Sequence, residues 1–245
     1  MRARIWVAVL AVCAAAAGCD SAAADPVRVD EHFAGPDGLI AAEHHPATDD
    51  PVWLLTSGSL YRVDGQGWSG IPDAGDTPDG TGSAVFRMVS ADRSFGDVVM
   101  TVKLRVDNLV QTARTPAQNY DGVHIWVRYR SDKELYAISV DRRDGSLIIK
   151  KKCAGGTENG GTYFDLTAPV RGAAIPFGQW QQVTVQVTDR PDGSVAINAS
   201  RDGFAVEASD TGVGCAPLTG DGSVGIRGDN ADFRLAGLVV EDVAP

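Results

Sequence analysis

The stretch from Tyr120 to Lys152, YDGVHIWVRYRSDKELYAISVDRRDGSLIIKKK, constrains the fold more than any other part of the chain. Apolar and polar residues alternate through it with a period of two, the period of an extended strand with one buried face. Ser131-Asp132-Lys133-Glu134 and Asp144-Gly145 interrupt the alternation, and both are turn chemistry. The pattern predicts three consecutive antiparallel strands. A four-residue first connection pairs Arg130 with Leu135, opposing Arg128 to Ala137, Trp126 to Ser139 and His124 to Asp141. A two-residue Asp144-Gly145 turn pairs Arg143 with Ser146 and sets Ser139 opposite Lys150 and Ala137 opposite Lys152. One face then carries His124, Trp126, Arg128, Arg130, Ser139, Asp141, Lys150 and Lys152. The other carries Val123, Ile125, Val127, Tyr129, Tyr136, Ile138, Val140 and Ile149, and must face the core. Ile148 and Lys151 each fall on the wrong side, but a one-residue slip would spoil the separation far more.

The rest of the chain reads the same way. Val98, Met100, Val102, Leu104 and Val106 alternate with Val99, Thr101, Lys103 and Arg105, a half-buried strand. Val52 to Val63 is a hairpin about Ser57-Gly58-Ser59, and Gln179–Asp189 and Val195–Ser200 flank an Asp192-Gly193 turn. Asp64 to Gly82 reads as a long Gly-rich loop, with Trp68 placed either to stack on a sugar ring or to pin the loop. No stretch after the N-terminus sustains a capped 3.6-residue apolar period. The chain is all-β.

The first residues are processing signal rather than fold. Arg2 and Arg4 precede an apolar run from Ile5 to Ala17, the length of a signal-peptide core and too short for a bilayer span. Ala16-Ala17-Gly18-Cys19 resembles the lipobox of bacterial lipoproteins, which implies cleavage before Cys19 and lipid on that cysteine; ordinary secretion is the alternative. Residues 1–18 are then the signal, 19–26 a lipidated terminus and linker, and 27–245 a single domain outside the cytoplasm, held to the bacterial cell membrane. Loss of Arg2 and Arg4 moves the formal charge from −10 to −12, which disfavours nucleic acid as a partner. Cys13 leaves with the signal and Cys19 takes lipid, so Cys153 and Cys215 remain as a disulfide pair or as two buried thiols.

The order of elements resembles a known architecture. GQWQQVTVQV, the DGSVAI turn and the closing GSVGIRGDNADFRLAGLVV follow the concanavalin A-like pattern, and the Tyr120–Lys152 run is similar to uncharacterised bacterial laminin-G-like proteins. The resemblance implies an all-β, two-sheet antiparallel jelly-roll sandwich, and in glycan-active members the concave sheet holds the sugar. On that face Trp126 is suited to stack on a pyranose, and Arg128, Lys150 and Lys152 to bind carboxylate or sulfate. His124 opposite Asp141 has the pattern of a tuned imidazole.

Three functions remain open: a non-catalytic lectin-like module, a polysaccharide lyase, and a structural or protein-interaction module of the cell envelope. A solvated face with cross-strand ion pairs is the plain alternative to any site. A hydrolase of this fold needs paired carboxylates, and the glucanase Glu-x-Asp-x-x-Glu triplet is missing. A lyase needs a cation at the uronate carboxylate and a base, roles open to His124, Arg128 and Lys150, with Tyr163 or Tyr120 as acid. No cofactor is required. The fold often holds a structural calcium, for which Asp229, Asn230 and Asp232, with Asp30 and Glu31, offer oxygen ligands.

Overall fold

The period-two pattern becomes strand almost everywhere it occurs. A computed structural model describes residues 26–43, 52–74 and 83–243; the signal sequence and Cys19 lie outside the described residues. These hold seventeen strands and no helix. The first six are β1 (Val27–Glu31), β2 (Gly38–Ala42), β3 (Trp53–Ser57), β4 (Ser59–Val63), β5 (Gln66–Trp68) and β6 (Val85–Ser90). The central six are β7 (Val98–Leu109), β8 (Gly122–Ser131), β9 (Glu134–Arg142), β10 (Ser146–Glu158), β11 (Gly161–Asp165) and β12 (Val170–Arg171). The last five are β13 (Gln181–Asp189), β14 (Val195–Arg201), β15 (Phe204–Asp210), β16 (Ser223–Asp229) and β17 (Ala231–Asp242).

Two antiparallel sheets form. One runs β15-β14-β13-β7-β17-β5-β4-β2, with β1 also paired to β17. The other runs β11-β10-β9-β8-β16-β6-β3, with β12 on β10. The alternating apolar residues of β7, β13 and β17 share one buried cluster with Val123, Ile125, Val127, Ile138, Val140 and Ile149 from the second sheet. Each such side chain gains about 1.5–3 kcal/mol on burial, which is why the faces separate so cleanly. The stretch expected to be a loop from Asp64 onward contains β5, and Trp68 is a pin: its indole Nε1–H donates to Asp232 at 2.7 Å.

The three-strand unit β8-β9-β10 forms as expected, in a shifted register. At the hairpin tip Ser131 pairs with Glu134, as the four-residue connection predicts. A bulge between Val127 and Ser131 then moves the pairing by two residues, so Trp126 faces Ala137 and His124 faces Ser139. Arg128 sits in the bulge at φ 50°, in the left-handed region. Gly222 explains the close approach there, since a Cβ on it would lie 2.7 Å from the Arg128 backbone. The second connection is Arg143-Asp144-Gly145, with Gly145 N–H donating to the Arg142 carbonyl, and it places Lys150 opposite Ala137 and Lys152 opposite Leu135. A shift of two residues changes partners and keeps faces, so the separation into two faces survives.

Three residues do change side. The bulge turns Arg128 inward and Tyr129 outward, where Tyr129 stacks on Trp126 with centroids 5.3 Å apart. Arg128 is buried among Asp97, Asp189 and the Gly220 carbonyl. A second bulge, between Val123 and His124, sets Asp141 against Val123, and Asp141 takes Arg201 and Gln181 as its partners. His124 is therefore not paired with Asp141.

Lys151, the residue that spoiled the apolar face, is resolved by a buried network. Its ammonium donates to both oxygens of Asp210 at 2.9 and 2.8 Å and to the Cys215 carbonyl at 2.7 Å. Tyr136 Oη–H donates to Asp210 at 2.6 Å, and the backbone N–H groups of Gly212 and Val213 complete the carboxylate's shell. Beside it Cys153 and Cys215 form the disulfide, with Cα atoms 6.0 Å apart.

Candidate functional site

On the outer face of the eight-stranded sheet lies a pocket of about 360 Å³. Its floor is built by strand alternation. His124 and Trp126 come from β8, Ala137 and Ser139 from β9, Lys150 and Lys152 from β10, and Arg227 and Asp229 from β16. Tyr120, Arg142, Tyr163 and the β10–β11 segment from Thr157 to Asn159 form the rim.

His124, Trp126, Ser139, Lys150 and Lys152 thus come together as the sequence suggested, with Tyr120 and Tyr163 beside them. Arg128 and Asp141 are inside the sandwich, and Arg130 reaches instead to the Thr219 carbonyl. The lyase set loses its Arg128. Trp126 is 2 % exposed and already stacked on Tyr129, so it shapes the floor without offering a free ring face. Tyr163, half-buried over the Lys152 ammonium at 5.1 Å, is the accessible aromatic wall.

Arg227 and Asp229 were missed as pocket residues. The signal was present: β16 reads Ser-Val-Gly-Ile-Arg-Gly-Asp, and positions 225, 227 and 229 share a face. That β16 would lie beside β8 follows from long-range topology, which local pattern does not encode. Arg227 holds Asp229 with two hydrogen bonds, at 2.7 and 2.6 Å. Asp229 in turn accepts from His124 Nε2–H at 3.2 Å, while His124 Nδ1 accepts from the Ser139 hydroxyl at 2.8 Å. Both ring nitrogens are engaged. Burial pushes the imidazole below the ordinary histidine value, and the Asp229 carboxylate opposes this only in part. Burial would raise Asp229, but the Arg227 guanidinium and the His124 hydrogen bond outweigh it and hold its carboxyl far below the usual range.

These directions set a pH dependence. A folded-state pKa below the unfolded one gives stability that is present above the unfolded value and lost as pH falls. For His124 that loss starts below 6.5, and for Asp229 below 3.8. The unfolding free energy should therefore fall on acidification below pH 6.5, by no more than about 1.4 kcal/mol per pH unit from the one imidazole, and the melting temperature with it. Thermal melts across this range check it, and a flat profile down to the carboxylate range would contradict a neutral buried His124.

The expected calcium ligands do not converge. Asp229 is committed to Arg227 and His124, Asn230 donates to Asp121, and Asp232 accepts from Trp68. Asp30 and Glu31 pair with Val239 and Leu238, seven and six residues along β17 from Asp232, about 20 Å at strand rise. Among the described residues no group of three or more His, Cys, Asp or Glu side chains is placed to hold a metal.

No family model and no curated protein matches the chain. Solved structures do. A structure associated with the endo-acting O-glycanases that prominent members of the human gut microbiota express to initiate mucin breakdown superposes with TM-score 0.56 at 10 % identity, covering 89 % of this chain and 100 % of that one. The metal-free Emp46p carbohydrate recognition domain matches with TM-score 0.52 at 9 % identity, covering 79 % and 89 %. A Bacillus subtilis protein of unknown function with a galectin-like fold matches with TM-score 0.50 at 9 % identity, covering 90 % and 97 %. The fold is a jelly roll of the lectin and glucanase type. At these identities the likeness concerns architecture, and the chemistry rests on the pocket itself.

Proposed function

We infer that this pocket binds carbohydrate, and that the protein is a non-catalytic, lectin-like module held at the outer surface of the cell membrane by lipid on Cys19. The observation that carries the reading is the pocket itself: an aromatic-walled hollow on the sheet face, with polar donors on its floor and Tyr163 on its side. Two proteins of the same architecture support it, one a carbohydrate recognition domain and one linked to O-glycanases. The engagement of His124 supports binding over turnover, because a general base needs a free nitrogen within reach of substrate. Asp229, fixed by Arg227, is poorly suited to deliver a proton as a general acid. The Cys153–Cys215 bridge supports an oxidising, extracytoplasmic location.

The test is a glycan array probed with the full chain and with Tyr163→Ala. Loss of the aromatic wall should weaken retention by about 10–30-fold, the scale of a truncated hot-spot aromatic. Unchanged retention would count against the pocket as the sugar site. Partition of the same preparations into detergent, lost in Cys19→Ser, checks the anchor.

A further inference from the structure

Two cations lack counter-charges here: Lys152, which lines the pocket, and half-buried Arg87, which stands next to the pocket residue Arg227. Lys152 is 2 % exposed, yet its ammonium makes a single hydrogen bond, to the Asp132 carbonyl at 2.6 Å, and no described carboxylate lies within ion-pair distance. Besides that bond it has only the Tyr163 ring. An ammonium has three protons to place, so two are unassigned. Arg87 stands directly opposite Arg227 on the neighbouring strand β6, on the same face. Its guanidinium makes no hydrogen bond or ion pair with any described residue, and its Nε is buried without a partner. Arg227 spends Nε and one terminal nitrogen on Asp229 and keeps the other.

The three cations feel one another. Burial first, then the charges of Arg227 and Arg87, press the Lys152 ammonium below its ordinary value, and burial followed by Arg227 does the same to Arg87. The nearby carboxylates do not cancel them: Asp229 is committed to Arg227, Asp132 attracts both Lys152 and Arg87 without forming an ion pair, and Glu158 is exposed at the rim. A buried charge left unpaired is costly, and Lys152 is one, with the half-buried and unpaired Arg87 pressing on it; an added negative charge would relieve both. The protein as a whole is strongly acidic, which makes a local cationic cluster more pointed.

We propose that Lys152, Arg87 and Arg227 form an anion subsite for one carboxylate or sulfate of the bound sugar, so that the ligand is an acidic glycan. This rests on the reading of the pocket as a carbohydrate site and names its substrate class. Arg87 and Arg227 present planar donors suited to a carboxylate or sulfate edge, and Lys152 closes the site from β10 as a point charge.

The experiment compares matched polymers: polygalacturonate against its methyl ester, and dextran sulfate against dextran. Wild-type protein should be retained on polygalacturonate or dextran sulfate at least tenfold more strongly than on the uncharged partner; which of the two charged polymers is held separates a uronate from a sulfated ligand. Lys152→Met and Arg87→Gln should each lose about 10–100-fold of that retention, the scale of a hydrogen bond to a charged group. Lys152→Met should melt no lower than wild type, because it removes a buried charge that has no carboxylate partner. Lys103→Gln, an exposed lysine on β7 of the opposite sheet, should bind as wild type. Equal retention of charged and uncharged polymers, or retention untouched by Lys152→Met and Arg87→Gln, overturns the subsite and leaves the carbohydrate reading standing. Retention of none of the four polymers overturns both.

Discussion

Lys151→Ala is expected to lower the unfolding free energy by about 3–5 kcal/mol, because it strands Asp210 as a buried, uncompensated charge. Tyr136 and two backbone N–H groups would remain on that carboxylate, but the only cation bonded to it among the described residues would be gone. For a chain of this size the loss corresponds to a fall in melting temperature of about 10 °C or more. Lys150→Ala, one residue away, removes a partly exposed pair with Asp165 and should cost about 0–1 kcal/mol. Urea unfolding of the two variants measures the contrast. Equal, small shifts would mean that the Lys151–Asp210 pair is not an internal anchor.

Opening the Cys153–Cys215 bridge is the second large effect. The cysteines are 62 residues apart in sequence. In the chain-entropy model, closing a loop of that size stabilises the fold by about 4 kcal/mol. A Cys153→Ser, Cys215→Ser double variant should therefore unfold at clearly lower urea, and with a steeper m-value if the freed denatured chain exposes more surface. A reductant that leaves the urea midpoint of the wild-type protein in place would contradict the assignment. Lys151 hydrogen-bonds the Cys215 carbonyl, so the two anchors touch, and their losses should not be additive.

How far the sequence could be read follows from which residues obey a local period. β7 and β13 were legible because every second residue is apolar, over nine positions from Val98 to Val106 in β7 and five from Val183 to Val187 in β13. The two faces of β8-β9-β10 were legible for the same reason, and an even-numbered error in register left them intact. Arg128 and Tyr129 were misplaced because they lie inside a bulge, where the alternation is locally reversed, and Asp141 because a second, one-residue bulge sits beside it; no composition signal marks a bulge at an arginine. Lys151 looked like an error in the pattern because its partner, Asp210, lies 59 residues away. Arg227 and Arg87 stayed hidden, and Asp229 was read as a calcium ligand rather than a pocket residue, because β16 and β6 reach their places beside β8 by crossing between sheets, a fact of topology.

The composition of β10 has one more consequence. Its core reads Leu-Ile-Ile-Lys-Lys-Lys, so sliding the strand by one residue along β9 exchanges isoleucine for isoleucine and lysine for lysine at the decisive positions. A slip that would ruin β8 is nearly synonymous here. The anchor lysine and the pocket lysines are chemically the same residue, told apart only by frame. Cys153, next in line, is the first position that cannot be traded for its neighbour, and its bond to Cys215 is possible only when it points inward. Oxidation thus acts on this strand as a frame marker: it holds Lys151 inside and Lys150 and Lys152 outside, in a segment whose own letters spell both settings alike.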